Sequence, residues 1–196
     1  MSKILPALFL LLVVAACGSG SDRAPRNLDN ACSILKQRPE FVRAFKQTER
    51  SWGVPTHVQM AIIHQESKFI ANARPPRRYF AGVIPRGRAS SAFGYAQALD
   101  GTWDDYRRDT GRRFARRDRI RDASHFMGWY MNTTRERNGV PLSDARRQYL
   151  AYHEGHTGYA RGSYRRKSWL LNVANKVEAR SNMYRRQLAS CRVRGL

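Results

Sequence analysis

The stretch at residues 55–69 limits the fold of this chain more than any other part, because it reads as a helix that is apolar almost all the way round. The motif T-x-x-Q at residues 56–59 is typical of a capping box, which predicts that the helix begins at Thr56. On that register one continuous face carries Val58, Ile62, Glu66 and Phe69. A helix of this kind has to be buried, so the rest of the chain must pack around it.

Glu66 is an acid in line with core residues, near the C-terminal end of the predicted helix. Burial raises the pKa of a carboxyl group, and the negative end of the helix dipole acts in the same direction. A glutamic acid with a pKa close to neutral can donate a proton to a leaving group. A structural acid paired with an arginine is the alternative, and the helix position alone leaves both interpretations open.

The other hydrophobic patterns predict one mostly helical domain, which suits a chain of 196 residues. Apolar residues recur at helical spacing in four further segments, residues 31–52, 122–135, 143–155 and 169–188. Pro39 marks a break within the first segment, and Ser143 is the predicted cap of the third. Residues 72–91 are rich in Pro, Gly and Arg and have no helical period. The best strand signal lies there, at residues 80–84.

The N-terminus predicts export. Lys3 precedes an apolar stretch at residues 4–16, which is too short to span a bilayer as a helix and is typical of a signal peptide. The small residues before Cys17 resemble the lipobox of bacterial lipoproteins, in which the cysteine becomes the first mature residue and carries lipid. Gly18 after it favours the outer membrane in that family. The resemblance implies a lipid-anchored protein on the periplasmic face of the outer membrane; secretion with an unmodified Cys17 is the alternative.

Three cysteines in an exported chain leave one unpaired, and lipidation of Cys17 accounts for the odd one. We therefore expect a disulfide between Cys32 and Cys191, since free thiols are rare in an oxidising compartment. Such a bond closes a loop of about 160 residues, which is worth about 4–5 kcal/mol in the loop-entropy model. Residues 17–30 are small and polar and predict a tether, so the folded domain is expected at residues 31–196.

The net charge of the chain says less about its binding partners than its motifs do. Lys and Arg number 36 against 15 Asp and Glu, a formal net charge of +21 that attracts any polyanion. An exported protein meets anionic lipid head groups and peptidoglycan carboxylates, so nucleic acid is not an expected partner. The charge does not choose between lipid and wall.

Three segments resemble, in the same order, motifs of the soluble lytic transglycosylase family of lysozyme-like enzymes. H-Q-E-S-K-F at residues 64–69 resembles the E-S-x-F motif that carries the catalytic glutamate. S-A-F-G-Y-A-Q at residues 91–97 resembles the glycan-binding S-x-A-x-G-L-M-Q segment, and Y-L-A-Y-H-E-G-H-T-G at residues 149–158 resembles L-A-A-Y-N-A-G-x-G. The resemblance covers roughly residues 50–160. It implies an α+β lysozyme-like fold, with a small β segment beside the cleft, and peptidoglycan glycan strands as the substrate.

Carried over residue by residue, the resemblance makes Glu66 the general acid and then the base. Gln97 would hydrogen-bond the bound sugar, Tyr152 would line the cleft, and Ser67 would support the end of the helix. Each of these three side chains also has an ordinary structural interpretation: a surface amide, a core ring and a helix-end hydroxyl.

The chain departs from the family pattern at several substrate positions. Tyr95 replaces a leucine and supplies a ring that can stack on sugar, and His153 replaces an asparagine. The Arg-rich loop at residues 75–90 lengthens the gap between the first two motifs. His64, His153 and His156 lack the spacing of a compact ligand set, so neither a metal nor another cofactor is predicted.

The resemblance implies cleavage of the β-1,4 bond between N-acetylmuramic acid and N-acetylglucosamine, with formation of a 1,6-anhydro end, by a monomer. Glycosidases commonly use two carboxyl groups, whereas this sequence offers one well-placed acid. A hydrolytic muramidase stays open as an alternative, with water positioned by one of four acids, Asp100, Asp104, Asp105 or Glu154. A non-catalytic basic lipoprotein that binds peptidoglycan or anionic lipid is the other alternative.

Overall fold

A computed structural model of the protein describes residues 23–195. The predicted signal peptide at residues 1–16 and the predicted lipidation site Cys17 lie outside the described residues, so both stay predictions.

Seven α-helices and one β-hairpin make up most of this part of the chain, which confirms the mostly α, lysozyme-like fold class. The elements in order are α1 (Ala31–Gln37), α2 (Pro39–Trp52), α3 (Thr56–Ser67), β1 (Arg77–Phe80), β2 (Ile84–Arg88), α4 (Asp100–Thr110), α5 (Ile120–Asn138), α6 (Ala145–Ala160) and α7 (Ser168–Ala189), with a 3-10 turn at Ser163–Arg166 before α7. None of the helices between residues 23 and 195 has both the length and the hydrophobicity needed to cross a bilayer.

Helix α3 forms the centre of the domain. Its apolar side chains are fully buried, among them Val58, Met60, Ala61, Ile62 and Ile63. It packs against α7 most extensively and also contacts α2, α5 and α6. Burial of so many large side chains stabilises this arrangement by about 1.5–3 kcal/mol for each of them. The apolar circumference read from the sequence is therefore explained by helices on several sides.

The start of α3 differs from the predicted capping box. The helix does begin at Thr56, but no side chain caps it. Gln59 is instead fully buried, where its Nε2 donates to the Val54 carbonyl (2.7 Å) and its Oε1 accepts from the Ser124 hydroxyl (2.7 Å). A buried amide needs partners for both of its ends, and the neighbouring loop and α5 supply them.

Helix α6 has the predicted break but not the predicted cap. Asp144 caps it in place of Ser143, because the Asp144 carboxylate accepts the backbone N–H of Arg147 (2.8 Å). Gly155 interrupts the helix with φ +74° and ψ 157°, a conformation that favours glycine.

The strand signal at residues 80–84 marks a turn rather than a strand. Phe80 and Ile84 pair with each other and close the hairpin, and β1 and β2 extend away from them on either side. Ala81 and Gly82 between them have φ values of +48° and +77°, which reverse the chain.

The two ends of the described chain lie close together. Cys32 and Cys191 form the predicted disulfide. Residues 23–30, which the sequence assigns to a tether, contact α7: the Tyr184 hydroxyl donates to the Leu28 carbonyl (2.5 Å), and Arg180 pairs with Asp29 (2.7 Å). The packed part of the protein therefore starts before residue 31.

Candidate active site

Glu66 lies in the last turn of α3, immediately before an abrupt end of the helix. Lys68 and Phe69 both have left-handed backbone conformations, with φ values of +53° and +63°. Each costs roughly 1–2 kcal/mol in a residue other than glycine. Full burial of the Phe69 ring offsets this cost, and the Ser67 hydroxyl donates to the Ile63 carbonyl (3.2 Å) in the same turn. The chain thus turns away just beyond the acid, and the predicted role of Ser67 in supporting the helix end stays a prediction.

The Glu66 side chain is half-buried, and protein atoms crowd its carboxyl group. Loss of hydration raises the pKa of Glu66 to about 8, although the Lys68 charge and a hydrogen bond from the Tyr149 hydroxyl act in the opposite direction. At neutral pH the acid is therefore mostly protonated, while part of the residue stays accessible to a substrate.

Tyr149 is the partner of Glu66 that the sequence did not single out. Its side chain is buried, and burial together with the neighbouring Glu66 raises the pKa of Tyr149 well above its ordinary value. Tyr149 precedes Tyr152 by three residues on α6, so both rings lie on the helix face that points towards α3. That spacing was the available signal.

Tyr152 joins α6 to the loop at residues 91–99. Its hydroxyl donates to the Ala96 carbonyl, and its ring packs edge-on against Tyr130 with centroids 5.1 Å apart. Burial, followed by the nearby charge of Glu66, raises the pKa of Tyr152. The second and third predicted motifs therefore meet beside the acid carried by the first.

The loop at residues 91–99 owes its shape to two left-handed residues. Gly94 has φ +81°, and a Cβ there would lie 2.2 Å from the Arg117 carbonyl oxygen, so only glycine fits. Gln97 has φ +48°, and its Nε2 donates to the carbonyls of Ala73 (2.9 Å) and Gly94 (2.8 Å). The amide nitrogen of Gln97 thus holds the loop together. The predicted hydrogen bond to sugar stays a prediction, and the side-chain oxygen Oε1 of Gln97 is the atom that would form it.

Residues 5–191 match the model of a protein family described as Transglycosylase SLT domain. The chain belongs to this family. Its members are lysozyme-like domains that act on peptidoglycan, in agreement with the order of the three motifs. No curated protein matches the chain.

The structure gives different surroundings to Tyr95 and His153, two residues at which the sequence departs from the family pattern. Tyr95 is 2% exposed, and its ring lies edge-on against Phe41 with centroids 5.7 Å apart, so no ring face is free to stack on sugar. His153 is exposed, with Nδ1 3.1 Å from a Glu154 oxygen and its ring 5.1 Å from that of Trp169. The predicted substrate contact of His153 stays a prediction, whereas the buried Tyr95 ring belongs to the packed core.

The four other candidate acids of the SLT domain are paired with cations. Three surface pairs join Asp100 to Arg117 (2.7 Å), Asp104 to Arg107 (3.3 Å) and Asp105 to Arg108 (2.6 Å). Burial alone would raise the pKa of Glu154, but hydrogen bonds from Lys167, Ser163 and His153 outweigh it and lower the pKa to about 2. Lys68 is the charged residue that shifts the pKa of Glu66, and no second acid in the described chain does so.

The histidines of the SLT domain have separate structural roles. Burial lowers the pKa of His64 to about 3, so this ring is neutral. His156 stacks on Tyr130 with centroids 4.2 Å apart and lies 3.1 Å from the Thr134 hydroxyl. Among residues 23–195 no group of three or more metal-binding side chains comes together.

A cavity of about 500 Å³ lies between α3 and α7, next to Glu66 but not around it. His64, Gln65 and Lys68 line its α3 side. Glu66 points instead towards α6, as its contact with Tyr149 requires. The candidate catalytic centre of the SLT domain is therefore the place where the end of α3 and the loop at residues 91–99 meet α6; we call it the candidate groove.

Proposed function

We propose that the protein is a peptidoglycan lytic transglycosylase. It cleaves the β-1,4 bond between N-acetylmuramic acid and N-acetylglucosamine and leaves a 1,6-anhydromuramoyl end. One observation carries the proposal: Glu66 is a half-buried acid with a pKa of about 8, in hydrogen-bond contact with Tyr149. It lies in the segment at residues 64–69 that resembles the E-S-x-F motif. Membership in the SLT family supplies the substrate class.

The reaction begins with protonated Glu66, which donates its proton to the glycosidic oxygen as the bond to C1 of the muramoyl residue breaks. The N-acetyl group of the same sugar stabilises the developing positive charge. The muramoyl 6-hydroxyl then attacks C1, and the Glu66 carboxylate accepts the proton of that hydroxyl. The acid is regenerated, and the products are an N-acetylglucosamine end and a 1,6-anhydro ring.

The groups around Glu66 suit both halves of this cycle. Burial favours the protonated form that starts the reaction, whereas the Tyr149 hydroxyl and the Lys68 charge stabilise the carboxylate that forms midway. These opposing effects bring the pKa close to the working pH, where one group serves best as acid and base.

The lack of a second carboxylate near Glu66 in the described chain favours transglycosylation over hydrolysis. A muramidase of the usual kind needs a second acid to position water or to act as nucleophile. The four candidate acids are instead bound to Arg107, Arg108, Arg117 and Lys167. An internal hydroxyl already tethered to the reacting carbon needs no such help, because it has a high effective concentration.

We also propose that Cys17 carries lipid and holds the enzyme, as a monomer, on the periplasmic face of the outer membrane. The support is the lipobox-like sequence before Cys17. Mass spectrometry of the membrane-bound protein would detect the acyl chains, and an unmodified Cys17 would contradict the anchor.

The first test replaces Glu66 by glutamine. We expect Glu66→Gln to lower the cleavage of purified peptidoglycan by at least about 10³-fold, while sedimentation with insoluble wall material stays nearly unchanged. Glu178→Gln is the matched control, since it removes the same charge from an exposed position on α7. Cleavage by Glu66→Gln at the normal rate would refute the assignment and favour a non-catalytic wall-binding protein.

The second test identifies the product. Mass spectrometry of the released muropeptides should find 1,6-anhydromuramoyl ends, which are lighter by one water than reducing ends. If reducing ends were found instead and their formation required Glu66, Glu66 would still be the catalytic acid, but the reaction would be hydrolysis.

A further inference from the structure

The hairpin formed by β1 and β2 has a polarity gradient along its length. At its turn Phe80 pairs with Ile84, and Tyr79 pairs with Pro85 one step further back. At its base Arg77 pairs with Arg88. With a rise of about 3.3 Å per residue, the Arg77 and Arg88 pair lies roughly 10 Å behind the apolar end.

The apolar end of the hairpin faces solvent. The exposed fractions are 56% for Phe80, 75% for Val83 and 56% for Ile84; we call these three residues the hairpin tip. Three large apolar side chains exposed at one turn are unusual in a soluble surface and mark a site of interaction. Within residues 23–195 the two strands contact each other and no helix, so nothing in the described chain covers the tip.

Positive charge surrounds the tip without any acid to balance it. Residues 67–99 contain six basic residues and no Asp or Glu. Arg77, Arg86 and Arg88 lie on the strands themselves, and we call them the hairpin arginines. The Arg86 guanidinium lies over the Phe80 ring, 5.2 Å from its centroid, which joins the cationic band to the tip.

We propose that this hairpin docks the protein on an anionic phospholipid surface. The tip enters the boundary between head groups and acyl chains, and the hairpin arginines bind lipid phosphates behind it. Apolar side chains at the end of an element with cations behind them are the arrangement that binds such interfaces. This site is separate from Glu66 and does not rest on the proposed reaction.

A glycan strand suits the hairpin less well than lipid. Sugar rings bind to flat aromatic faces, and the hairpin exposes two aromatic rings, Tyr79 (54%) and Phe80 (56%). The Arg86 guanidinium lies over the Phe80 ring, however, and the most exposed side chain of the tip, Val83, is aliphatic. A polysaccharide also gives no reason for the separation of apolar and cationic residues along the hairpin. Lipid explains both features.

A fluorescent label at the tip tests the proposal directly. The full chain carries Cys17→Ser, so that no acyl chain is added, together with Val83→Cys labelled with an environment-sensitive dye. Phe114→Cys is the matched control, because Phe114 is a 93% exposed apolar residue outside the hairpin. With vesicles of phosphatidylethanolamine and phosphatidylglycerol we expect a blue-shifted, brighter emission from the label on Val83→Cys. The emission of the label on Phe114→Cys should not change.

Binding measurements on unlabelled variants complete the test. The double variant Phe80→Ser/Val83→Ser should lower the partition coefficient onto the same vesicles by about tenfold. Arg77→Gln/Arg86→Gln should remove much of the preference for phosphatidylglycerol over phosphatidylcholine. The apolar residues 4–16 are present in every variant, so differences between variants report on the hairpin.

Two results would overturn the proposal. One is an unchanged emission from the label on Val83→Cys at vesicle concentrations that bind the protein. The other is a shift caused by soluble glycan strands but not by vesicles, which would assign the hairpin to the glycan. Circular dichroism of each variant excludes unfolding as the cause of lost binding.

Discussion

Glu66 links the chemistry of the site to the stability of the protein. The pKa of its carboxyl group rises from 4.5, its ordinary value, to about 8 on folding. Between these two pH values the Glu66 site therefore binds more protons in the folded chain than in the unfolded chain. The contribution of Glu66 to the free energy of unfolding then falls as the pH rises from about 4.5 to about 8, at up to about 1.4 kcal/mol per pH unit.

This linkage predicts that Glu66→Gln stabilises the folded protein while it removes activity. Glutamine has the same shape and no charge to bury, so we expect the free energy of unfolding at pH 7 to rise by about 2–3 kcal/mol. The gain should disappear below about pH 4, where the carboxyl group is protonated in both states. Urea unfolding at pH 4 and pH 7 measures both values.

Glu178→Gln again serves as the control and should show no comparable change with pH. If Glu66→Gln changed the free energy of unfolding by the same amount at pH 4 and at pH 7, the raised pKa of Glu66 would be wrong.

At the scale of residues, the sequence predicted the features that depend on position along a helix. Val58 and Ile62, on the predicted face that carries Glu66, are fully buried. Phe69, predicted on the same face, lies beyond the end of the helix at Ser67 and is buried there. The sequence failed where a polar side chain had two possible partners. Gln59 could cap its own helix but bonds to other elements, and Tyr149 shows its role only when α6 lies beside α3.

Among the elements, the loop at residues 91–99 has the least freedom to change. It brings the Ala96 carbonyl to Tyr152 and lies against the chain around Arg117, where Gly94 leaves no room for a side chain. Its shape therefore positions one side of the candidate groove relative to α6.

Comparison of two glycine substitutions should isolate this close approach. Gly94 and Gly139 both have left-handed φ values, +81° and +65°, but a Cβ at Gly139 would meet no atom within 4 Å. Gly139→Ala should cost only backbone strain, about 1 kcal/mol. Gly94→Ala should cost about 2 kcal/mol more and should also lower kcat for peptidoglycan cleavage. Thermal unfolding and cleavage rates measure both effects. If the two variants lost the same stability and activity, the close approach of the loop to Arg117 would not matter.

Most of the elements were predictable because helical periodicity survives in the sequence wherever a helix packs on one face. The small β segment was expected, but the bounds of its strands were not, because Phe80 and Ile84 give a strand signal although both are exposed beside a turn. Aromatic and β-branched residues favour strands when they are half-buried, and here nothing in the described chain buries them. The same mismatch points to an external partner for the hairpin.

For the whole molecule, the disulfide is the longest-range constraint. It joins Cys32 in α1 to Cys191 after α7, across 159 residues, and so connects the two ends of the described chain. A cross-link of that length acts mainly on the unfolded state, where it removes chain entropy. It was predictable from three cysteines together with the lipobox-like sequence before Cys17, which assigns Cys17 to lipid and leaves Cys32 and Cys191 to pair.

The disulfide should therefore affect stability and leave the chemistry intact. We expect Cys32→Ser/Cys191→Ser to lower the free energy of unfolding by about 3–5 kcal/mol, because the unfolded chain regains the entropy of an open loop and measured disulfides often contribute less than the loop-entropy value. At a temperature where the variant is still folded, its kcat should match that of the unsubstituted protein. Cys32 lies in α1 and Cys191 follows α7, so neither belongs to the helices that carry Glu66 and Tyr149. Urea unfolding gives the first value and muropeptide release the second. Reduction of the unsubstituted protein should produce the same loss of stability, whereas a fall in kcat without a fall in stability would show that the cross-link shapes the groove itself.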